Sequence, residues 1–355
     1  MKQTNLTKYI SSSSLQSLLV AALPTLLPSI KVKRVEHGSI AHPGLFLHVV
    51  TPVGRQHRLA LLLQATAIPS RIRESLRRWR SSLPKGEAYP MVASTFLSPR
   101  VREICREENV GYVDVAGNCR IALPDVYLEK VVDRNPFPKR GRPATVFAPV
   151  SSRVIRALLE EPARAWAVIE VATTAGVSLG QASNVCRRLI DDAYAIRRDR
   201  RLTLTEPGKL LEAWQDRYDP ARHEAAVYYS FEREPQALMR RLAEVAKARQ
   251  WRYAVTGLAG AALIAPFVHG AGTVSWYVPD ALARAQWVDA LDLRPVEDGA
   301  NAVMLIPRDR GVWHRAQTAD GVAVVGSIQL YLDLWSDPGR GREQAEFLRQ
   351  QTLKI

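Results

Sequence analysis

The stretch from Ser151 to Thr205 constrains the fold most, because its apolar residues change spacing at defined points. Ser151 to Leu159 predicts a first helix. Ala167 to Thr174 predicts a second, with Val168, Val171 and Ala172 as its apolar face. Ala175-Gly176-Val177 reads as the turn that ends it, since glycine takes the left-handed backbone that closes a helix. Ser178 opens a third helix running to about Asp191, and Gln181 three residues on completes a capping-box pattern. Ala182, Val185 and Leu189 fall on its inward side. Gln181, Asn184 and Arg188 fall at the same spacing on the opposite side, flanked by Ser183 and Arg187. Ile196-Arg197-Arg198-Asp199-Arg200-Arg201-Leu202 reads as a short two-stranded basic hairpin, and a helix follows from Glu206 to Tyr218. The order predicts a helix-turn-helix with a wing.

The side chains suit double-stranded DNA. Gln and Asn can pair bidentately with adenine and Arg with guanine, while a basic hairpin suits phosphates or a minor groove. The candidate DNA-binding residues here are Ser178, Gln181, Ser183, Asn184, Arg187 and Arg188 on the third helix, and Arg197, Arg198, Arg200 and Arg201 on the hairpin. Gln181 has a competing role as a cap, which favours Asn184 and Arg188. A three-helix module that binds protein is the competing reading of the whole segment.

Charge agrees with a polyanion partner. The chain of 355 residues carries a formal charge of +14. Residues 1–150 hold 22 basic against 10 acidic residues, whereas 151–220 hold 11 against 10 and 221–355 hold 16 against 15. A localised cationic excess is the electrostatic footprint of a nucleic-acid binder. A merely basic soluble surface is the plainer alternative. Residues 134–149 form a Pro-rich basic linker in which Lys139, Arg140 and Arg142 surround Gly141 and precede Pro143. That Arg-Gly-Arg-Pro core is similar to an AT-hook, whose arginines enter a narrow minor groove. An ordinary basic linker reads equally well.

The first 133 residues alternate strands with single helices, which indicates an α/β unit. Leu45 to Val50 and Arg58 to Ala65 are predicted strands around a Pro-Val-Gly turn. Met91 to Ala93, Val110 to Val115, Arg120 to Leu123 and Val126 to Val131 are further strands. Ser70 to Ser82 is a predicted helix with Ile72, Leu76 and Trp79 on one face and Arg73, Arg77 and Arg80, candidate DNA contacts, on another. Ser98 with Pro99 opens another. Leu15 to Ile30, broken by Pro24 and Pro28, is too short for a membrane span of about 20 residues. It has the length of a signal-peptide core, but weak flanking charge favours a buried helix. Three cysteines without close pairing give no disulfide framework and argue for a reducing, cytoplasmic setting. The expected domains are 1–133, a linker 134–149, 150–220 and 221–355, the last an α+β domain with a helix from Pro235 to Gln250.

Several phrases together resemble the regulators of the abortive-infection type IV antitoxin group (AbiEi-like). They are Ser98-Pro99-Arg100-Val101-Arg102-Glu103-Ile104-Cys105, Gly111 to Asn118, Ser151 to Leu159, and Ser178 to Val185, so the resemblance is taken to cover most of the chain from about residue 40. It implies a restriction-endonuclease-like N-terminal fold, a winged helix, and a C-terminal effector or dimerisation domain.

Such a nuclease fold needs an Asp and then a Glu-x-Lys to hold Mg²⁺. This sequence has Pro43-Gly44 and Leu62-Leu63-Gln64 there, so the domain is expected to be catalytically degenerate. Asp114, Asp125 and Glu129, with Lys130 adjacent, offer a rival carboxylate set. In the last third, Thr256-Gly257-Leu258 before a strand Thr273 to Val278 loosely resembles a nucleotidyltransferase, but Ser275 and Tyr277 stand where two metal-binding aspartates belong. His223, His269 and His314 are scattered and suggest packing or surface.

The expected protein is a multidomain α/β transcriptional regulator that binds double-stranded DNA by occupancy of an operator. It is expected to be a cytoplasmic homodimer without catalysis, metal, cofactor or membrane attachment. The alternative is an autorepressing antitoxin of a type IV toxin–antitoxin system, with a cognate toxin as partner. A metal-dependent nuclease is the third reading.

Overall fold

The apolar run near the start forms a helix, α1 (Ser12–Leu26), that sets Leu15, Leu19, Leu23 and Leu26 on one face. Each fully buried leucine contributes about 1.5–3 kcal/mol of transfer free energy. The computed structural model containing it describes residues 12–38, 44–83, 88–132, 136, 145–268, 270 and 272–355. The candidates Lys139, Arg140 and Arg142, and also His269 and Pro43, lie outside the described residues. One folded unit comprises Met1–Pro143 with Asp191–Ala193, and the other Ala144–Ile190 with Tyr194–Ile355.

In the first unit, β1 (Lys31–His37), β2 (Leu45–Val50), β3 (Gln56–Gln64), β4 (Tyr89–Ser94), β5 (Gly111–Asp114), β6 (Cys119–Leu123) and β7 (Val126–Lys130) form one sheet in sequential order. β3, β4 and β5 run parallel, joined by α2 (Pro69–Ser81) and α3 (Pro99–Glu107); the other neighbours are antiparallel. The face against α1 buries Leu45, Leu47, Leu59 and Leu61. The other face meets Ile72, Leu76 and Trp79 of α2 and Val101, Ile104 and Cys105 of α3. β1 escapes sequence reading because its register shifts between Val32 and Arg34. Such a bulge breaks the two-residue alternation that marks a strand.

The second unit opens with α4 (Pro149–Glu160), α5 (Val168–Ala175), α6 (Leu179–Asp191), the hairpin strands β8 (Ala195–Arg198) and β9 (Arg201–Leu204), and α7 (Pro207–Gln215). There follow β10 (Glu224–Tyr229), α8 (Pro235–Arg249), β11 (Ala254–Thr256), α9 (Gly257–Ile264), β12 (Val274–Tyr277), α10 (Ala281–Ala290), β13 (Arg294–Pro295), β14 (Ala302–Ile306), β15 (Gln317–Ala319), β16 (Val322–Val324), α11 (Ser327–Trp335) and α12 (Gly341–Leu348). The larger sheet has the order β13-β10-β14-β12-β11-β16-β15. β12 pairs parallel to β14 and β11 parallel to β16, and the remaining pairs are antiparallel.

Leu238, Met239 and Leu242 of α8 and Trp287 of α10 pack on one face of that sheet. The opposite side is one continuous core that joins Val154, Leu158, Val185, Leu189 and Trp214 to Ile328, Leu332 and Leu348. The helices before the hairpin therefore share a core with the C-terminal part, and the expected boundary at residue 220 falls inside this unit. The chain is a multidomain α/β protein. Among the described residues, no helix is long and apolar enough to cross a membrane.

Candidate nucleic-acid interface

The hairpin does not stand alone. Trp166, between α4 and α5, exchanges both backbone hydrogen bonds with Leu202 at 2.8 Å, which adds a short third strand to β8 and β9. Arg201 Nη1 donates to the Ala165 carbonyl at 3.0 Å and approaches Glu170 at 3.3 Å. Glu170 in turn accepts the Ala167 N–H, and that bond is the main reason its carboxyl sits below the usual range. Arg201 is thus tied to the start of α5 and holds the hairpin against the helices. Arg197, Arg198 and Arg200 are exposed. The hairpin reverses through Asp199 (φ 48°) and Arg200 (φ 64°), two left-handed residues in the loop, as a tight primed turn requires.

Gly176 ends α5 in the left-handed region, φ 60° and ψ 44°. Arg310 Nη2 donates to its carbonyl at 2.9 Å, so the C-terminal part caps the turn of the helix pair. Ser178 Oγ accepts the Gln181 N–H at 3.2 Å and begins α6. The other half of the expected capping box does not form. Gln181 Nε2 instead donates to Ser151 Oγ on α4 at 2.8 Å, and Gln181 is half-buried.

This corrects the face read from sequence. The outward crest of α6 carries Gly180, Asn184 and Arg187, at i, i+4 and i+7, all exposed. Arg188 and Ser183 lie half-buried on its two flanks, and Ser178 is exposed at the entrance. Ala182, Val185, Cys186 and Leu189 are buried, and burial pushes the Cys186 thiol up to about 11. Asn184 and Arg187 are therefore the exposed polar side chains of α6, and Arg197, Arg198 and Arg200 are exposed in the hairpin.

In the first unit, Arg77 and Arg80 are exposed on α2 as expected. Arg73 is not: its guanidinium pairs with Glu107 of α3 and lies 3.7 Å from Glu108 at the cap of that helix, which clamps the two helices.

The two catalytic frames look different once folded. Gly44 leads into β2, whose Leu45 pairs with Leu61 of β3, so the Asp and Glu-x-Lys positions do converge. A Cβ at Gly44 would come within 2.7 Å of the Leu61 carbonyl oxygen, so no aspartate fits there without backbone movement. Asp114 is fully buried and saturated by the N–H groups of Leu97, Gly117 and Asn118 and by the Asn118 amide. Asp125 accepts from Thr51 Oγ1 at 2.6 Å and meets His57 Nε2 at 2.7 Å. Glu129 is held near 2 by hydroxyls of Tyr127 and Tyr112 and by the Arg106 guanidinium. Each carboxylate of the rival set thus serves a local structural bond. Among the described residues, no three His, Cys, Asp or Glu side chains are grouped to hold a metal.

Around β12 the surprise is Asp333 of α11. It accepts from Tyr218 (2.6 Å), Thr256 (2.6 Å), Tyr277 (3.1 Å) and Gln329 (2.7 Å). Burial raises both tyrosine hydroxyls far above their ordinary range. His223 joins this network through the Tyr218 hydroxyl at 2.9 Å. The network joins the end of α7 to the sheet, and Arg153 adds a paired contact from α4 to Asp309 at 2.7 Å. No local pattern in the sequence signals either one, because apart from Gln329, one turn before Asp333, the partners lie 56 to 156 residues apart.

A family model described as "Transcriptional regulator, AbiEi antitoxin, Type IV TA system" matches residues 201–354, less than half of the chain. The match starts at the first residue of β9 and runs through the C-terminal sheet. The sequence phrases on which the family resemblance rests all precede it, so the likeness is carried by the segment that read as loosely nucleotidyltransferase-like. No curated protein and no solved structure matches.

Proposed function

We propose that the protein is a sequence-specific double-stranded DNA-binding transcriptional regulator that acts by occupying an operator. The observation that carries this reading is the juxtaposition of an exposed Asn184–Arg187 crest with an exposed Arg197, Arg198 and Arg200 hairpin on one small module. We read the order helix, short strand, helix, glycine turn, helix, two-stranded hairpin as a winged helix. In this reading α6 enters the major groove and reads base edges, while the hairpin grips phosphates. The N-terminal unit, with its cationic excess, is read as a degenerate nuclease-like fold that adds backbone contacts without chemistry. The protein works as a cytoplasmic homodimer on two half-sites about 34 Å apart.

A second role as the antitoxin of a type IV system is favoured by the family model over residues 201–354. The two roles are compatible, since an antitoxin that represses its own operon needs both.

Selection from a pool of randomised duplexes tests the main reading. An enriched motif with two related half-sites is expected. If about six phosphates are neutralised, log K falls with log[salt] at a slope near −5. A pool that stays random, with a slope shallower than about −2, would refute it.

A further inference from the structure

A second polar site lies where α4 and α7 meet the C-terminal part. A cavity of about 70 Å³ is lined there by Arg156, Trp214, Arg217, Arg222, His223 and Arg308, among others. On this scale one water needs about 10–15 Å³, so the space holds about five water-sized atoms, the heavy-atom count of a phosphate group.

Its charge is lopsided. Four guanidinium groups, those of Arg156, Arg217, Arg222 and Arg308, line the cavity against two carboxylates, Asp219 and Asp309. Asp309 is already engaged by Arg153 and by the Gly311 N–H. Asp219 lies at the exposed rim beside Arg222.

Arg156 is the unusual member. It is 4% exposed, deep in a low-dielectric setting. Its Nη2 donates to Gln329 Oε1 at 2.8 Å, while Nε and Nη1 have no hydrogen-bond partner among the described residues. A buried guanidinium with unmet donors is costly unless an anion completes it. The carboxylates nearest in effect, Asp333 and Glu160, act on it through space only, and Asp333 is saturated by its own four partners. The positive potential of Arg156 also reaches both neighbouring imidazoles, helping burial to hold His223 and His314 below their usual range.

We propose that this cavity is a binding site for a small phosphate-bearing anion, with Arg156 on its floor and Arg217, Arg222 and Arg308 around its mouth. The oxygens accept from the unmet Arg156 donors, and the rim arginines neutralise the remaining charge. The stacked Phe147 and Trp214 rings, 6.4 Å apart and also in the lining, leave room for two sources: free phosphate or the phosphate of a small phosphomonoester. The site is separate from the α6 crest and does not depend on DNA binding.

Calorimetric titration of the full chain at constant ionic strength tests it, with inorganic phosphate and adenosine monophosphate as the two probes. Saturable binding of at least one is expected, at roughly millimolar Kd or tighter. Tighter binding of the monophosphate identifies a phosphomonoester as the source, and equal binding identifies free phosphate. Arg156→Gln should weaken binding about tenfold or more. If that variant does not fold, Arg308→Ala and Arg222→Ala, both at exposed positions, carry the test with smaller losses. Arg197→Ala in the hairpin should leave anion binding unchanged. Absence of saturable binding by both probes, or binding that folded cavity variants leave intact, would overturn the proposal. So would a loss of binding in Arg197→Ala equal to that in the cavity variants.

Discussion

Gln181 and Asn184 stand three residues apart on α6, and the structure sets them in opposite surroundings, Gln181 half-buried against α4 and Asn184 exposed. Gln181→Ala removes one side-chain hydrogen bond, to Ser151 on α4 at 2.8 Å. A net hydrogen bond contributes about 0.5–1.5 kcal/mol, and in a unit of this size each kcal/mol moves Tm by about 2–4 °C. Gln181→Ala should therefore lower Tm by about 1–6 °C. It should leave the ratio of cognate to scrambled-duplex affinity unchanged. Asn184 is exposed and makes no comparable bond to α4. Asn184→Ala should keep Tm within about 1 °C but lower the affinity ratio by about 1–3 kcal/mol, roughly 5- to 150-fold. Fluorescence anisotropy on both duplexes at one salt concentration, with calorimetric melting of each variant, reads the two effects separately. Two results would refute the reasoning. An unchanged ratio in folded Asn184→Ala removes α6 as the reading element. A lowered ratio in Gln181→Ala with no change in Tm restores the face read from sequence alone.

Three further outcomes follow from other parts of the molecule. Asp333→Ala leaves the hydroxyls of Tyr218, Tyr277 and Thr256 and the amide of Gln329 without their acceptor, so it should cost about 3–5 kcal/mol in chemical denaturation; a cost below about 1 kcal/mol would show that the network does not hold α7 to the sheet. Arg200→Gly relieves a left-handed arginine at the hairpin turn, so Tm should rise slightly while affinity for every duplex falls and the salt slope loses about one unit; a fall in Tm would contradict the assigned turn. His314 is held down to about 4, first by burial and then by the charges of Arg156 and Arg315, so its neutral form stabilises the fold fully above about pH 6.5 and that contribution is lost as pH falls toward 4. Urea unfolding of His314→Gln should show a shallower loss of stability between pH 7 and 5 than the unaltered protein, and parallel curves would show that the imidazole is solvated.

The sequence alone determined what depends on neighbours a few residues away. The spacing of Ile72, Leu76 and Trp79 fixed α2, Ser98-Pro99 fixed the start of α3, and Gly176 fixed the turn before α6. The basic hairpin followed from its composition, and the leucine run after Ser12 formed a core helix. Backbone sterics, caps and the 3.6-residue period act over one or two turns, so they are visible in a short window. Tertiary structure alone decided which side chains remain available. Helical spacing put Gln181 outside, but the opening turn of α4 lies close enough for Ser151 to take its amide. Arg73 and Arg201 read as free cations until Glu107 and Glu170, 34 and 31 residues away, claimed them. Asp333 and Arg156 give little local signal, since apart from the Gln329–Asp333 pair within α11 their partners come from distant segments, Tyr218 after α7, Thr256 of β11 and Tyr277 of β12 for Asp333 and Gln329 for Arg156, and meet only when one core closes. Long-range packing selects among polar groups by desolvation, and that selection is written in no stretch of chain short enough to read by period.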